Sequence, residues 1–213
     1  MMVQKARANS MEQERNRTRG IITIGLMAAL VFIFTYMRIE IPTPLGKTML
    51  HLGNVMCLLS ALLFGKTRGG LAAGFGSMFF DMFDPVYLPE CWITFIMKFA
   101  MAFVCGLIAF PRAKPLSEQG DAQTPPATAK WRSIVGAICG AIAYVVLYMT
   151  KTFVVERLIK GYEIETVLLT MAQKGTVSLV NALIAVAASL ILASAIRPAL
   201  KRSGLAEKFG MLN

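Results

Sequence analysis

Charged residues are scarce in this chain. They make up 16% of the 213 residues, whereas hydrophobic residues make up 56%, and the mean hydropathy is +0.60. A soluble domain carries about 25% charged residues, so this composition indicates a membrane protein. Histidine is nearly absent as well. Because His51 is the single histidine, a zinc-protease motif or any other multi-histidine metal site is excluded.

Two further kinds of site are missing from the sequence. The four cysteines show no C-x-x-C spacing, and their apolar surroundings favour buried, inert thiols: Cys57, Cys91, Cys105 and Cys139. Gly-Lys-Thr occurs at 46–48 and 65–67, but the glycine that a phosphate-binding loop requires five residues earlier is replaced by Ile41 and Ser60. We therefore expect no metal, no cofactor and no nucleotide-hydrolysing site in this chain.

Long apolar segments are what the sequence does have. A membrane-spanning helix needs about 20 mostly apolar residues. The candidates are residues 21–37, 51–64, 69–83, 91–110, 131–150 and 166–196. The second and third are short and predict a tight helical hairpin that turns at "GKTRGG". The last two are expected to continue beyond the bilayer and to turn at Gly161. The sequence predicts an all-α membrane protein with six transmembrane helices.

The basic residues are distributed unevenly about these spans. Fifteen Lys and Arg fall in the N-terminal tail (1–20), the "GKTRGG" turn, the linker (111–130, counted with Arg132) and the C-terminal segment, and five fall on the opposite side. This is the positive-inside bias, so both termini are predicted to be cytoplasmic. The membrane domain is then 21–197, followed by a basic tail at 198–213. Topology accounts for the net charge of +10, and no nucleic-acid partner is expected.

Small residues occur in pairs four positions apart on three predicted spans. Such pairs let helix backbones approach closely in lipid. They serve either packing within the chain or docking against another membrane subunit. The pairs are Gly25 with Ala29, Gly70 with Gly74, and Gly136 with Gly140.

Polar side chains recur at helical spacing within the spans. Charged groups at bilayer depth are costly and should face the interior of the bundle or a wet cavity. With the termini inside, nearly all of them lie in the outer half, which predicts a cup that is open outward and closed below rather than an ion channel. Such an amphipathic wall suits a small organic molecule with a ring. The predicted substrate-binding residues are Asn54, Asp81, Trp92, Lys98, Tyr148, Lys174 and Asn181.

Alternatives remain for several of these residues. Asp81 either lines the cup or pairs structurally with Lys98 or Lys174. Trp92 either lines the cup or belongs to an interfacial aromatic belt. The loop "RIEIPTPLGKTMLH" at 38–51 is either a lid over the cup or an ordinary connection. The predicted rim or gate residues are Pro42, Pro44, His51, Asp84, Tyr87, Glu90 and Lys151.

The segment "LHLGNVMCLLSALLFGKTRGGLAAGFGSMFFDMFDP", residues 50–85, resembles the substrate-binding (S) components of energy-coupling factor (ECF) transporters. It shows the His-Leu-Gly-Asn opening, the basic turn and the Gly/Ala-rich span ending in Asp of the group that includes riboflavin, pantothenate and hydroxymethylpyrimidine carriers. The resemblance implies a six-helix protein of a prokaryotic plasma membrane that binds a vitamin or precursor from outside. It also implies docking on a membrane coupling subunit driven by two ATPases. Gly25 and Ala29 stand where the family has an Ala-x-x-x-Ala docking motif.

Two other functions are alternatives to a binding subunit. One is a stand-alone secondary carrier for a small organic solute. The other is an intramembrane enzyme that uses Asp81 and Asp84 as acid and base, but no nucleophile with an orienting base accompanies them. We therefore expect no catalysis. The intramembrane lysines favour an anionic ligand and Asp81 favours a cationic one, so the identity of the vitamin stays open.

Overall fold

The computed structural model describes residues 2–110 and 127–203. Within these ranges five helices are long and apolar enough to cross a membrane. They are α1 (Met2–Tyr36), α2 (Gly53–Met82), α3 (Cys91–Ala109), α4 (Ala127–Phe153) and α5 (Ile164–Arg202). The predicted linker lies largely outside the described residues, and so does most of the predicted C-terminal tail.

The second of these helices, α2, is broken in the middle. Gly65 has a φ of +78°, a left-handed conformation that glycine adopts without steric cost. The Cys57 Sγ and Ser77 Oγ atoms lie 3.8 Å apart although 20 residues separate them. The two halves of α2 therefore run antiparallel, and the chain reverses within the "GKTRGG" segment where the sequence predicted a turn.

A long-range hydrogen bond stabilises this break. The last carbonyls of a helix have no intrahelical donor. The guanidinium of Arg197, near the end of α5, donates to the Leu62 carbonyl at 2.6 Å, and it lies 3.4 Å from the Ser133 hydroxyl. A cation at a helix C-terminus is also favourable toward the helix dipole.

Between α1 and α2 the chain forms a β-hairpin, which the all-α prediction did not anticipate. Strands β1 (Arg38–Thr43) and β2 (Gly46–His51) pair antiparallel, from Arg38 opposite His51 to Thr43 opposite Gly46. Gly46 supplies the positive φ, +118°, at the turn. The turn contains no Asn-Gly or Asp-Gly, the strongest hairpin signal in a sequence, and β1 contains a proline. We call residues 38–51 the hairpin.

Two of the three predicted small-residue pairs pack within the chain. A side chain on Gly74 would come within 2.8 Å of the Phe95 ring on α3, and one on Gly140 would come within 2.9 Å of the Cys105 Cβ. Gly70 and Gly136 likewise face α3. By contrast, nothing lies within 4 Å of a Cβ built on Gly25. Only this third pair leaves an open surface.

The connection between α4 and α5 follows the prediction. A π-helical turn, Val154–Ile159, continues α4. Gly161, with φ +70°, then reverses the chain before α5 begins.

Candidate functional site

The site is a small cavity at the end of the bundle remote from the α2 break, with the hairpin above it. All five helices or their adjoining loops contribute to its wall. Its volume is about 60 Å³, well below the ~300–1,000 Å³ of a site that holds a drug-sized ligand. The lining residues are Thr35, Thr48, Met49, His51, Ser77, Asp81, Tyr87, Glu90, Thr94, Met97, Lys98, Tyr144, Tyr148, Lys151, Ser178 and Asn181.

Lys98 of α3 is the buried cation of this cavity. Its side chain is 4% exposed, its ammonium donates to the side-chain oxygen of Asn54, and its Nζ lies 3.8 Å from the centre of the Tyr144 ring. An ammonium has three donors, and a neutral amide and a ring face satisfy it only in part. Lys98 therefore keeps capacity to donate toward the cavity.

Asp81 is the corresponding acid. It is 7% exposed at the end of α2, one helical turn beyond Ser77, and it lies beside Thr94 of α3. In the part of the chain that the structure describes, the carboxylates within ion-pair distance of a base belong to Glu40, Asp84, Glu90 and Glu156. The alternative in which Asp81 pairs with Lys98 or Lys174 is therefore not formed, although Lys98 is close enough to act on Asp81 electrostatically.

Tyrosine rings form one wall. Tyr144 and Tyr148, one turn apart on α4, stack with 6.0 Å between ring centres and 10° between planes. The upper ring, that of Tyr148, lies against Thr48 of the hairpin. Such a wall presents apolar ring faces beside hydroxyl groups, which is the combination that an organic ring with polar substituents requires.

The hairpin is the roof, and the α5 residue Asn181 binds it directly. The Asn181 side-chain oxygen accepts from the His51 N–H at 3.1 Å, and its nitrogen donates to the Met49 carbonyl at 2.8 Å. On the other side of the roof, the Tyr87 hydroxyl donates to the Lys47 carbonyl at 3.1 Å. Burial raises the pKa of Tyr87, so this hydroxyl keeps its proton.

An ionic cluster also joins the roof to the bundle. One Asp84 oxygen lies 2.9 Å from Arg38 and 3.3 Å from Lys47, and the other accepts the Val86 N–H at 3.0 Å. Burial alone would raise the pKa of Asp84, but the hydrogen bonds from Val86, Lys47 and Arg38 together lower it. Asp84 is therefore ionised at neutral pH.

Two remaining polar groups lie at the rim. Lys151 of α4 donates to Glu90, which precedes α3. The His51 Nδ1 accepts the Gly53 N–H at 3.1 Å. Burial, with Lys98 and Arg38 nearby, lowers the pKa of His51 to about 3, so the ring is neutral at physiological pH.

The structure brings together eight of the predicted site residues in the lining of this cavity: Asp81, Lys98, Tyr148, Asn181, His51, Tyr87, Glu90 and Lys151. Asn54 lies behind Lys98. The other predicted residues are elsewhere. Trp92 is 59% exposed on the outer surface of α3, and Lys174 lies 3.6 Å from the buried Glu156. Asp84, Pro42 and Pro44 belong to the roof and its attachment without lining the cavity.

Several lining residues were not among the predicted binding residues. Ser77, Thr94, Tyr144 and Ser178 lie on the same polar helical stripes as Asp81, Lys98, Tyr148 and Asn181, so the sequence places them on the right faces without selecting them. Thr48 and Met49 enter through the hairpin, and no stripe could indicate them. Glu156, the partner of Lys174, lies in the π-helical turn, where the period of an α-helix does not apply.

A second concave surface lies on the outside of the bundle. It is an apolar groove between α1 and the second half of α2, and it contains the open pair Gly25 and Ala29. The residues that form it are Gly25, Ala28, Ala29, Phe32, Ile33 and Phe79. Among the residues that the structure describes, no group of three or more His, Cys, Asp or Glu side chains could hold a metal ion.

The sequence is similar to that of known proteins. A protein of Pyrococcus woesei named "Uncharacterized protein in gap 3'region" is 28% identical over 120 residues, which is 56% of this chain and 70% of that protein. The family model described as ECF-type riboflavin transporter, S component, matches residues 15–198. This family consists of substrate-binding components of transporters and not of enzymes. Because the match covers most of the chain, the protein belongs to the ECF-type riboflavin transporter S component family.

Proposed function

We propose that this protein captures a vitamin or vitamin precursor from outside the cell and delivers it inward when docked on an ECF coupling subunit with two ATPases. The observation that carries the proposal is the roofed cavity, in which a buried ammonium, a carboxylate and stacked tyrosine rings converge. The family match supports the same function.

The proposed topology has six spans with both termini in the cytoplasm. The two antiparallel halves of α2 count as two short spans, and the other long helices supply four. Lys66 and Arg68 follow the α2 break, and the basic N-terminal segment lies in the first half of α1. The positive-inside rule assigns these basic segments to the cytoplasm. The cavity lies at the end of the bundle remote from the α2 break, so in this topology it faces outward.

The charges of the cavity favour a neutral, dipolar ligand. Its lining carries two carboxylates, Asp81 and Glu90, and two ammonium groups, Lys98 and Lys151, while His51 is neutral. An excess charge on the ligand would remain uncompensated in a buried site. Riboflavin is the first candidate, because the matching family is described by it and it combines a planar ring with hydroxyl groups.

Ligand entry requires the cavity to widen. A volume of about 60 Å³ accommodates only a few water molecules. The hairpin roofs the cavity and is not one of the packed helices, so its movement is the simplest way to admit a ring.

Calorimetry on the purified protein without ATP tests the proposed binding function. Riboflavin and a panel of other B vitamins and precursors are titrated, and one of them is expected to bind with submicromolar affinity. Failure of every compound to bind tighter than millimolar would contradict the proposal. Uptake into vesicles that contain this protein and no ATPase would instead favour a stand-alone carrier.

The apolar groove is the proposed docking surface for the coupling subunit. Gly25 is the position at which bulk blocks the groove without disturbing the fold, since nothing lies within 4 Å of a Cβ placed there. Gly25→Trp is expected to abolish co-purification with the coupling subunit while vitamin binding is retained. Gly25→Ala is the control. Normal assembly of the Trp variant would exclude this surface.

A further inference from the structure

The hairpin is tied to the bundle at two places by different kinds of interaction. At one place the neutral amide of Asn181 bonds to the backbone of β2, at Met49 and His51. These two backbone groups lie two residues apart and therefore point to the same edge of the strand. A carboxamide has the same kinds of donor and acceptor as a peptide group. The Asn181 side chain therefore makes the two hydrogen bonds to β2 that a neighbouring strand would otherwise make.

At the other place the tie is ionic. Asp84, in the loop after α2, contacts both Arg38 and Lys47. Glu40 contacts the same two cations at 2.8 and 3.0 Å, but it lies on β1 itself. Asp84 therefore fastens the hairpin to the bundle, whereas Glu40 only links the two strands to each other.

The two ties differ in strength and position. Asn181 is 6% exposed, and its hydrogen bonds are shielded from water. Arg38 and Lys47 are 21% and 23% exposed, so their attraction to Asp84 is weakened by water and salt. Lys47 also lies near the hairpin turn, opposite Pro42, whereas His51 lies at the other end of β2, just before α2.

Given the binding function proposed above, we propose that the hairpin is a lid with Asn181 as its hinge and Asp84 as its latch. Opening breaks the ion pairs of Asp84 and lifts Lys47 and the turn away from Tyr87. Asn181 keeps its hydrogen bonds to Met49 and His51 during opening and so holds this end of β2 over the cavity. Asn181 is thus a positioning residue that sets the place of the lid, and its polar atoms are engaged by the hairpin rather than by the ligand.

Hydrogen exchange of the ligand-free protein tests the hinge. In Asn181→Leu, the amides of residues 47–51 are expected to exchange about tenfold faster, a factor in the range that two buried hydrogen bonds supply. Ser178→Ala, one turn earlier on the same helix, is the control and should not change this exchange. If Leu prevents folding, Asn181→Asp removes only the bond to Met49 and should accelerate exchange less. Equal exchange in the Asn181 and Ser178 variants would refute the hinge.

Ligand kinetics test the latch. Asp84→Asn is expected to raise both the association and the dissociation rate about tenfold, with Kd changed less than about threefold, because the lid opens more often in both the free and the bound protein. Glu40→Gln removes a carboxylate from the same two cations and should leave both rates within about twofold of the wild-type values. In high salt the wild type should approach the Asp84→Asn rates.

The outcomes separate this inference from the proposed function. Equal acceleration in the Asp84 and Glu40 variants, or no acceleration in either, would overturn the latch. If no vitamin binds at all, the proposed function fails. The lid is still tested in that case, because exchange of residues 47–51 in Asn181→Leu and Asp84→Asn requires no ligand.

Discussion

Replacement of Lys98 by methionine should separate ligand affinity from stability. The Lys98 side chain is buried, and its ammonium contacts an amide oxygen and a tyrosine ring but has no ion-pair partner among the described residues. A hydrogen bond that involves a charged group contributes ~1.5–3 kcal/mol. Since 1.4 kcal/mol corresponds to a factor of ten, the loss of one such bond to the ligand should raise Kd about 10- to 150-fold.

The same substitution should leave the ligand-free protein nearly as stable as the wild type. Methionine has a similar length and removes the cost of burying a cation that has no carboxylate within ion-pair distance. This gain offsets the lost hydrogen bond to Asn54. Because 1 kcal/mol shifts the Tm of a protein of this size by ~2–4 °C, we expect Tm to change by no more than about 4 °C.

Calorimetry with the vitamin that binds, together with thermal unfolding of the ligand-free protein, measures both quantities. Lys66→Met is the matched control, because Lys66 also lies over an aromatic ring, that of Phe103, but at the opposite end of the bundle. Its Kd should be that of the wild type. An unchanged Kd in Lys98→Met would refute the assignment of Lys98 to the ligand. A fall in Tm well beyond the expected range would indicate that Lys98 is mainly structural.

Two further predictions concern the stability of the ligand-free protein. Gly76→Leu should lower Tm by about 2–12 °C, because its Cβ would lie 2.7 Å from the Val31 Cβ on α1 and overpacking costs ~1–3 kcal/mol. Gly25→Leu, whose side chain would enter open space, should leave Tm unchanged. The pKa of His51 is lowered from 6.5 to about 3, so its contribution to stability is complete above pH 6.5 and declines as the pH falls toward 3. His51→Asn, which keeps an acceptor for the Gly53 N–H, should show a smaller loss of Tm between pH 6.5 and 4. An equal loss of Tm in the wild type and in His51→Asn would contradict the lowered pKa of His51.

The helices and much of the cavity wall were predictable because each is governed by a local period. Asp81 and Lys98 were identified by two regularities, helical spacing and the cost of charge in lipid. Both line the cavity. Trp92 satisfied the same spacing but lies on the exposed face, because spacing shows which residues share a face and not which way that face points.

Pairings between distant residues were not predictable from the sequence. Lys174 was assigned to the cup, yet its neighbour is Glu156, in a π-helical turn that departs from the α-helical period. Asn181 was identified as a cavity residue, but its bonds to the Met49 carbonyl and the His51 N–H span about 130 residues of sequence. Backbone groups carry no sequence signature, so a side chain that binds them cannot be matched to its partner in advance.

The amino-acid sequence by itself determined that this chain is embedded in lipid, where its helices lie and which segment reverses at "GKTRGG". These properties follow from hydrophobicity, helical period and the conformational freedom of glycine, all of which act over a few residues. The tertiary structure alone decided that residues 38–51 fold into a roof and that Asp84 and Asn181 hold it on opposite sides. Hydrogen bonds and ion pairs between distant segments form only after the helices pack, so the geometry of packing selects the partners.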